Sequence, residues 1–231
     1  MTAAPSPTPI SNGGIGGNGN GAPARFDRSP FWRFAQAVTR FAATLCFDLK
    51  VWGTRHVPRT GGALIVANHQ SYLDPVIVCV HLKRPVSFLA KSELFTNRYF
   101  GGLIRSLHAF PVRQGEGDVG AVRETIRRLR EGHVLNIYPE GSRSSDGLLQ
   151  RIQPGVSLIV KRAGVPIIPV GIHGAFEAYP NFKKYPRCHP VRVLYGPPLH
   201  IHDLKGPELT RRIGDAIQGL MTELQTDPRY R

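Results

Sequence analysis

The 231-residue sequence predicts an α/β domain, a central sheet covered by helices. Three observations predict it. Short apolar runs recur from residue 48 onward, patterns of helical period lie between them, and the boundaries carry helix caps and glycine stops.

Residues 1–28 are rich in Pro, Gly, Ser, Thr and Asn and hold too little apolar surface to offset the entropy of ordering, so a disordered tail is expected. Gly14, Gly16 and Gly19 spell G-x-G-x-x-G, but no strand precedes them and no helix follows, so they do not form a dinucleotide fingerprint. Residues 29–47 read as an amphipathic helix. Phe31, Phe34, Val38, Phe41 and Leu45 recur at helical spacing, Arg33, Gln36 and Arg40 fall off that stripe, and Ser29 and Pro30 suit its start. Such a stripe packs on a core or lies in a membrane interface. From residue 48 to 226 strands are expected at Leu64–Ala67, Val86–Ala90, Val134–Tyr138, Ile167–Ile172 and Val191–Tyr195. Helices are expected between Asp118, as cap, and Gly132, as stop, and over Pro154–Ala163 and Pro207–Gln225.

The chain carries 30 Lys and Arg against 16 Asp and Glu, a net +14, which points to an anionic partner. Nucleic acid, an anionic membrane and a phosphorylated substrate all qualify. Arg123, Arg127, Arg128 and Arg130 offer a nucleic-acid face, but no nucleic-acid motif accompanies them. Cys46, Cys79 and Cys188 are too few and too scattered for a disulfide framework or metal site and read as small apolar fillers in a reducing compartment. His200 and His202 lack a third metal ligand, so no metal is expected. No secretory signal and no transmembrane run are seen, so any membrane association is expected to be peripheral.

Two segments carry chemistry. In NHQSYLD, His69 follows an apolar strand and Asp74 lies five residues on. Five residues turn a helix by about 140° from face to face, so the two side chains meet only if a turn intervenes. Once paired, the imidazole can take a proton from an alcohol while the carboxylate fixes its tautomer. On spacing alone, such a pair is more often a turn and a helix cap. In YPEGSRSSDG, also after an apolar strand, Glu140, Gly141, Ser142, Arg143 and Ser144 combine a carboxylate, a glycine turn that exposes N–H groups and a guanidinium suited to phosphate. Lys91 and Arg113 each follow an apolar run and can add positive charge, although solvated surface is the usual place of such residues.

Together these pieces resemble the glycerophosphate and lysophosphatidate acyltransferase family over about residues 48–225. His69 and Asp74 match its H-x-x-x-x-D box. Phe110 and Arg113 match its second block, and Glu140, Gly141, Arg143 and Ser144 its third, with Ser142 where threonine is usual. Val165, Pro166, Ile168, Pro169 and Val170 match its proline-centred fourth block. Four blocks in order are far more specific than any one. The resemblance implies a mixed central sheet covered by helices, glycerol-3-phosphate acyltransferase-like, with the N-terminal helix at the membrane interface. It implies His69 and Asp74 as catalytic, and Arg113, Glu140, Gly141, Arg143 and Lys91 as the phosphate site. Ser144, Pro166 and Pro169 fall to an acyl-donor or structural role. The implied reaction moves an acyl group from acyl-CoA or acyl-carrier protein, as co-substrate without other cofactor, to the sn-2 hydroxyl of lysophosphatidic acid. The alternative acceptors are glycerol 3-phosphate, a lyso-ornithine lipid or another lysolipid. The expected place is the cytoplasmic face of the inner membrane, with an anionic surface and no nucleic acid as partner.

Overall fold

The computed structural model describes residues 30–91, 96, 109–112, 119–180 and 182–230. The expected tail at 1–28 lies outside them. Helix α1 spans Pro30–Phe47, followed by β1 (Lys50–Trp52), a 3-10 turn (Thr54–His56), β2 (Ala63–Ala67), α2 (Asp74–Cys79), β3 (Val86–Lys91) and β4 (Ala109–Val112). Helix α3 (Val119–Arg130) leads to β5 (Val134–Ile137), α4 (Gly155–Ala163) to β6 (Ile167–His173), and α5 (Ala175–Ala178) to β7 (Arg192–Tyr195). The long α6 (Gly206–Thr226) follows.

The described strands form one mixed sheet in the order β1-β7-β6-β2-β5-β3-β4. Neighbours are parallel except β6 and β7, which are antiparallel. Successive strand residues point to opposite faces, and a strand covered on both faces reads as one apolar run. ALIVA shows this: Ala63, Ile65 and Ala67 join one core with Ala43 of α1, Ile77 and Val78 of α2 and Ala175 and Ala178 of α5. Leu64 and Val66 join the other, with Leu129 of α3, Val156 and Ile159 of α4 and Leu209, Ile213 and Ile217 of α6. Thus α1, α2 and α5 cover one face and α3, α4 and α6 the other.

Helix α1 is where its sequence places it, but its stripe faces outward. Phe34, Phe41 and Leu45 are 68%, 71% and 73% exposed. The helix docks instead through Ala43 and Phe47, and Gln36 donates from Nε2 to the carbonyl of Leu82 at 2.8 Å. Among the described residues no helix is long and apolar enough to cross a membrane. The cysteines correct the sequence reading. Cys79 packs against the core, where burial pushes its thiol up to about 12, but Cys46 and Cys188 are exposed and fill nothing.

Candidate active site

Strand β2 lies between β5 and β6, and its ladder pairs Val66 with Ile137 and Val66 with Pro169. The segments leaving β2 and β5 therefore emerge side by side at the carboxyl edge, where α/β sheets bind ligands. His69 follows β2 and Glu140 follows β5. Asn68 sets the exit of β2. Its amide donates to the carbonyl of Ile172 at 3.0 Å and accepts the Ile172 N–H at 2.8 Å, tying the turn to β6.

The turn the spacing demanded is present. Residues 70–73 reverse the chain, and Asp74 opens α2. The His69 Nδ1–H donates to Asp74 Oδ2 at 2.8 Å, and the N–H groups of Gln70 and Ser71 donate to the same oxygen at 2.7 and 2.8 Å. The Asp74 side chain is wholly buried. With Nδ1 carrying the proton, Nε2 holds the basic lone pair. The ring stacks on Tyr138, with centroids 3.9 Å apart and planes at 14°. Tyr138 was not singled out in the sequence. Its position next to β5 became a signal only once β5 was known to flank β2.

Glu140 takes a different place from the one expected. Its Oε1 accepts the His69 backbone N–H at 2.6 Å and its Oε2 accepts the Gln150 N–H at 2.7 Å. Both oxygens of this buried carboxylate thus serve the backbone, and neither is turned to a phosphate or to Arg143. Gly141 departs similarly. Its φ of 78° requires glycine, and its N–H closes the turn onto Tyr138 O at 3.0 Å rather than facing an anion. Ser144 donates its N–H to the carbonyl of His69 at 2.7 Å and its hydroxyl to Asp146 at 2.7 Å. The β5 turn is therefore a clamp on the His69 backbone from both sides.

Arg143 lies over the ring of Tyr72, 3.7 Å from its centroid. It lines, with Ser142, Ser145, Gln150, Arg151 and Glu140, an open cavity of about 310 Å³. Arg151, Gln150 and Ser145 were missed in the sequence, because nothing local distinguishes them from solvated loop residues. Pro166 and Pro169 are structural: the Pro166 carbonyl accepts the Leu64 N–H at 3.0 Å, and Pro169 sits in β6 beside Val66. Lys91 ends β3 with its backbone opposite Val112, and its side chain lies outside the described residues, as does all of Arg113. The described residues hold no group of three metal ligands.

Burial pushes the Glu140 carboxyl up to about 7 from an ordinary value near 4.5, and the two N–H donors offset this only in part. Between those two values the folded chain holds a proton that the unfolded chain releases, so this group lowers stability as pH rises through the window. A glutamine here turns an NH₂ toward one of the two N–H donors and does not titrate. The wild type should therefore be more stable than Glu140→Gln, and its lead should widen by about 1–3 kcal/mol from pH 8 to pH 5. Urea unfolding at the two pH values measures this; an unchanged difference would remove the titration from Glu140.

Comparison with known proteins gives the chain a family. A family model described as Acyltransferase matches residues 48–173. The 1-acyl-sn-glycerol-3-phosphate acyltransferase of Bacillus subtilis (strain 168) is 25% identical over 198 residues, covering 84% of this chain and 96% of that one. The protein of that name from Streptococcus pneumoniae is 31% identical over 166 residues, 71% of this chain and 58% of the relative. The crystal structure of the 1-acyl-sn-glycerophosphate (LPA) acyltransferase PlsC from Thermotoga maritima superposes with a TM-score of 0.72 at 25% identity, covering 84% of this chain and 80% of that one.

Proposed function

Because this chain belongs to the Acyltransferase family, whose model spans more than half of it, we propose that it acylates the free sn-2 hydroxyl of lysophosphatidic acid, giving phosphatidic acid. The observation that carries the reading is the His69–Asp74 pair, with a buried carboxylate held by three donors beside a cavity lined by two arginines.

The chemistry follows from that geometry. The acceptor hydroxyl lies at His69 Nε2 and an acyl thioester, of CoA or acyl-carrier protein, presents its carbonyl beside it. His69 takes the proton as the oxygen attacks the carbonyl carbon, and Asp74 stabilises the imidazolium. A C–O bond forms and a tetrahedral oxyanion results. Its collapse breaks the C–S bond, and the departing thiolate takes the proton from His69. The acceptor supplies the nucleophile, so no enzyme serine or cysteine is acylated. The Tyr138 ring and the Glu140 clamp act as positioning groups: one holds the imidazole plane, the other the backbone that carries it. Arg143 and Arg151, with Arg113 and Lys91, hold the phosphate and so position the hydroxyl.

Loss of one charge-assisted phosphate contact costs about 1.5–3 kcal/mol, or roughly 10–100-fold. Arg143→Ala should raise KM for lysophosphatidate by that factor and affect an acceptor without a phosphomonoester much less. The direct test is transfer from labelled acyl-CoA or acyl-carrier protein to lysophosphatidate, glycerol 3-phosphate, lysophosphatidylcholine and lyso-ornithine lipid. Product from another acceptor alone would move the substrate and keep the mechanism; no transfer to any would end the reading.

The outward stripe of α1 supports peripheral attachment to the cytoplasmic face of the inner membrane. Arg33, Arg40 and Lys83 line a groove with Trp32 along the same helix, so cations flank the outward apolar stripe, as an anionic interface requires.

A further inference from the structure

Beyond the α1 stripe, the exposed large apolar side chains among the described residues are Tyr72, Val76, Val119, Leu148, Leu158, Phe182 and Tyr185. Val76, Val119 and Leu158 are single positions on α2, α3 and α4, whereas Phe182 and Tyr185 share one loop that leads from Tyr179 beside the His69 turn. Phe182 and Tyr185 belong to the loop joining α5 to β7, which reads NFKKYPR from 181 to 187. They are 64% and 69% exposed, and Lys183, Lys184 and Arg187 beside them are exposed too.

This loop is built to present its tip. Its base is closed by the Arg187 N–H donating to Ala178 O at 2.7 Å, and a turn within it is closed by the Lys183 N–H on Pro180 O at 3.2 Å. Gly174, at φ 83°, lets the start of α5 approach the far end of the loop, where a Cβ would lie 2.0 Å from Pro190 O. Phe176 packs edge-on against Phe182 from below, with centroids 5.9 Å apart. Aromatic rings held outward on a closed loop, with cations interleaved, have the composition of a membrane-interface anchor.

The loop is also continuous with the site. The Ser71 hydroxyl donates to Tyr179 O at 2.6 Å, the Tyr179 and Tyr72 rings lie 5.3 Å apart, and Arg143 lies over Tyr72. Ser71 is itself a donor to Asp74. Helix α5, from which the loop leaves, lies with α1 and α2 on the same side of the sheet.

We infer that the loop around Phe182–Arg187 is a second membrane contact, separate from α1, which seats the mouth of the His69 site on an anionic lipid surface. The inference rests on the peripheral-membrane reading given above. Two attachment points fix the tilt of the domain where one helix leaves it free to swing, so the site faces the leaflet from which its lipid acceptor comes. An acidic carrier protein would suit the lysines but leaves the outward Phe182 and Tyr185 rings unexplained.

The test uses the full chain with Cys46 and Cys188 changed to serine and an environment-sensitive fluorophore on Phe182→Cys, Phe34→Cys or Gln218→Cys. Vesicles of phosphatidylglycerol and phosphatidylcholine carry a nitroxide quencher in the acyl chains. The probes at 182 and 34 should brighten and then be quenched, and the probe at 218, on α6 across the sheet, should not. Quenching at 34 without quenching at 182 overturns the second contact and leaves α1 as an anchor. Quenching at neither overturns both.

Activity gives an independent arm. The Phe182→Ser, Tyr185→Ser double variant should bind vesicles about tenfold more weakly, the loss of about one buried ring. Its turnover of a short-chain, water-soluble acceptor should be unchanged. An equal loss on the soluble acceptor would make the loop part of the site wall. Unchanged vesicle binding with a raised KM for acyl-carrier protein would make it a carrier dock. Either result overturns the inference.

Discussion

His69→Ala should lower kcat by about 10²–10⁴, the usual worth of a positioned general base, with both KM values nearly unchanged. The expectation follows from where the ring sits. Among the described residues its charged partner is Asp74, and the ring stacks on Tyr138. Removing it does not strand the carboxylate, since Gln70 and Ser71 still donate to Asp74 Oδ2. The fold should therefore persist, with an unfolding midpoint close to wild type. Steady-state kinetics and a urea transition on one preparation check both halves. Turnover within tenfold of wild type from a folded variant would end the assignment of His69 as base.

Asp74→Asn should cause a comparable fall in kcat, and unlike His69→Ala it should also destabilise. The amide oxygen can still accept at the Oδ2 position, but only as a neutral acceptor, and the imidazolium formed during transfer loses its counter-charge. The new NH₂ then occupies the Oδ1 position, an atom that is buried and has no hydrogen-bond partner. A buried donor without an acceptor costs about 1–3 kcal/mol. Equal kcat losses in the two variants, with a stability loss only in Asp74→Asn, would show one dyad with unequal structural duties. Wild-type turnover in Asp74→Asn would leave His69 acting alone.

The site was partly legible because its chemistry is carried by short local patterns. The His69 to Asp74 spacing required a turn, and the structure supplies it ahead of α2. The apolar runs at 64–67, 134–138 and 167–172 read as strands because a strand covered on both faces must be apolar at every position, and the structure has strands at 63–67, 134–137 and 167–173. The helices at 119–130, 155–163 and 206–226 are long enough for a 3.6-residue period to show. Strand β1, with three residues, and α5, with four, are too short to show any period, and α2, with six, shows in the sequence only as a turn and a helix cap.

Sequence by itself determined the fold class, the strands β2, β3, β5, β6 and β7 with the longer helices between and after them, and the two segments that carry the chemistry. Each is written in local composition and spacing. Only the tertiary structure decided what those segments do to one another. Placing β5 against β2 joins residues about 70 apart, turns the Glu140 carboxylate onto the His69 backbone and lays Tyr138 beneath the imidazole. It also decided that the stripe of α1 faces outward, a choice its amphipathic pattern left open. The physical reason is the same in each case. A local pattern fixes which side chains share a face, but what that face meets depends on strand order, and strand order is set by packing across the whole sheet.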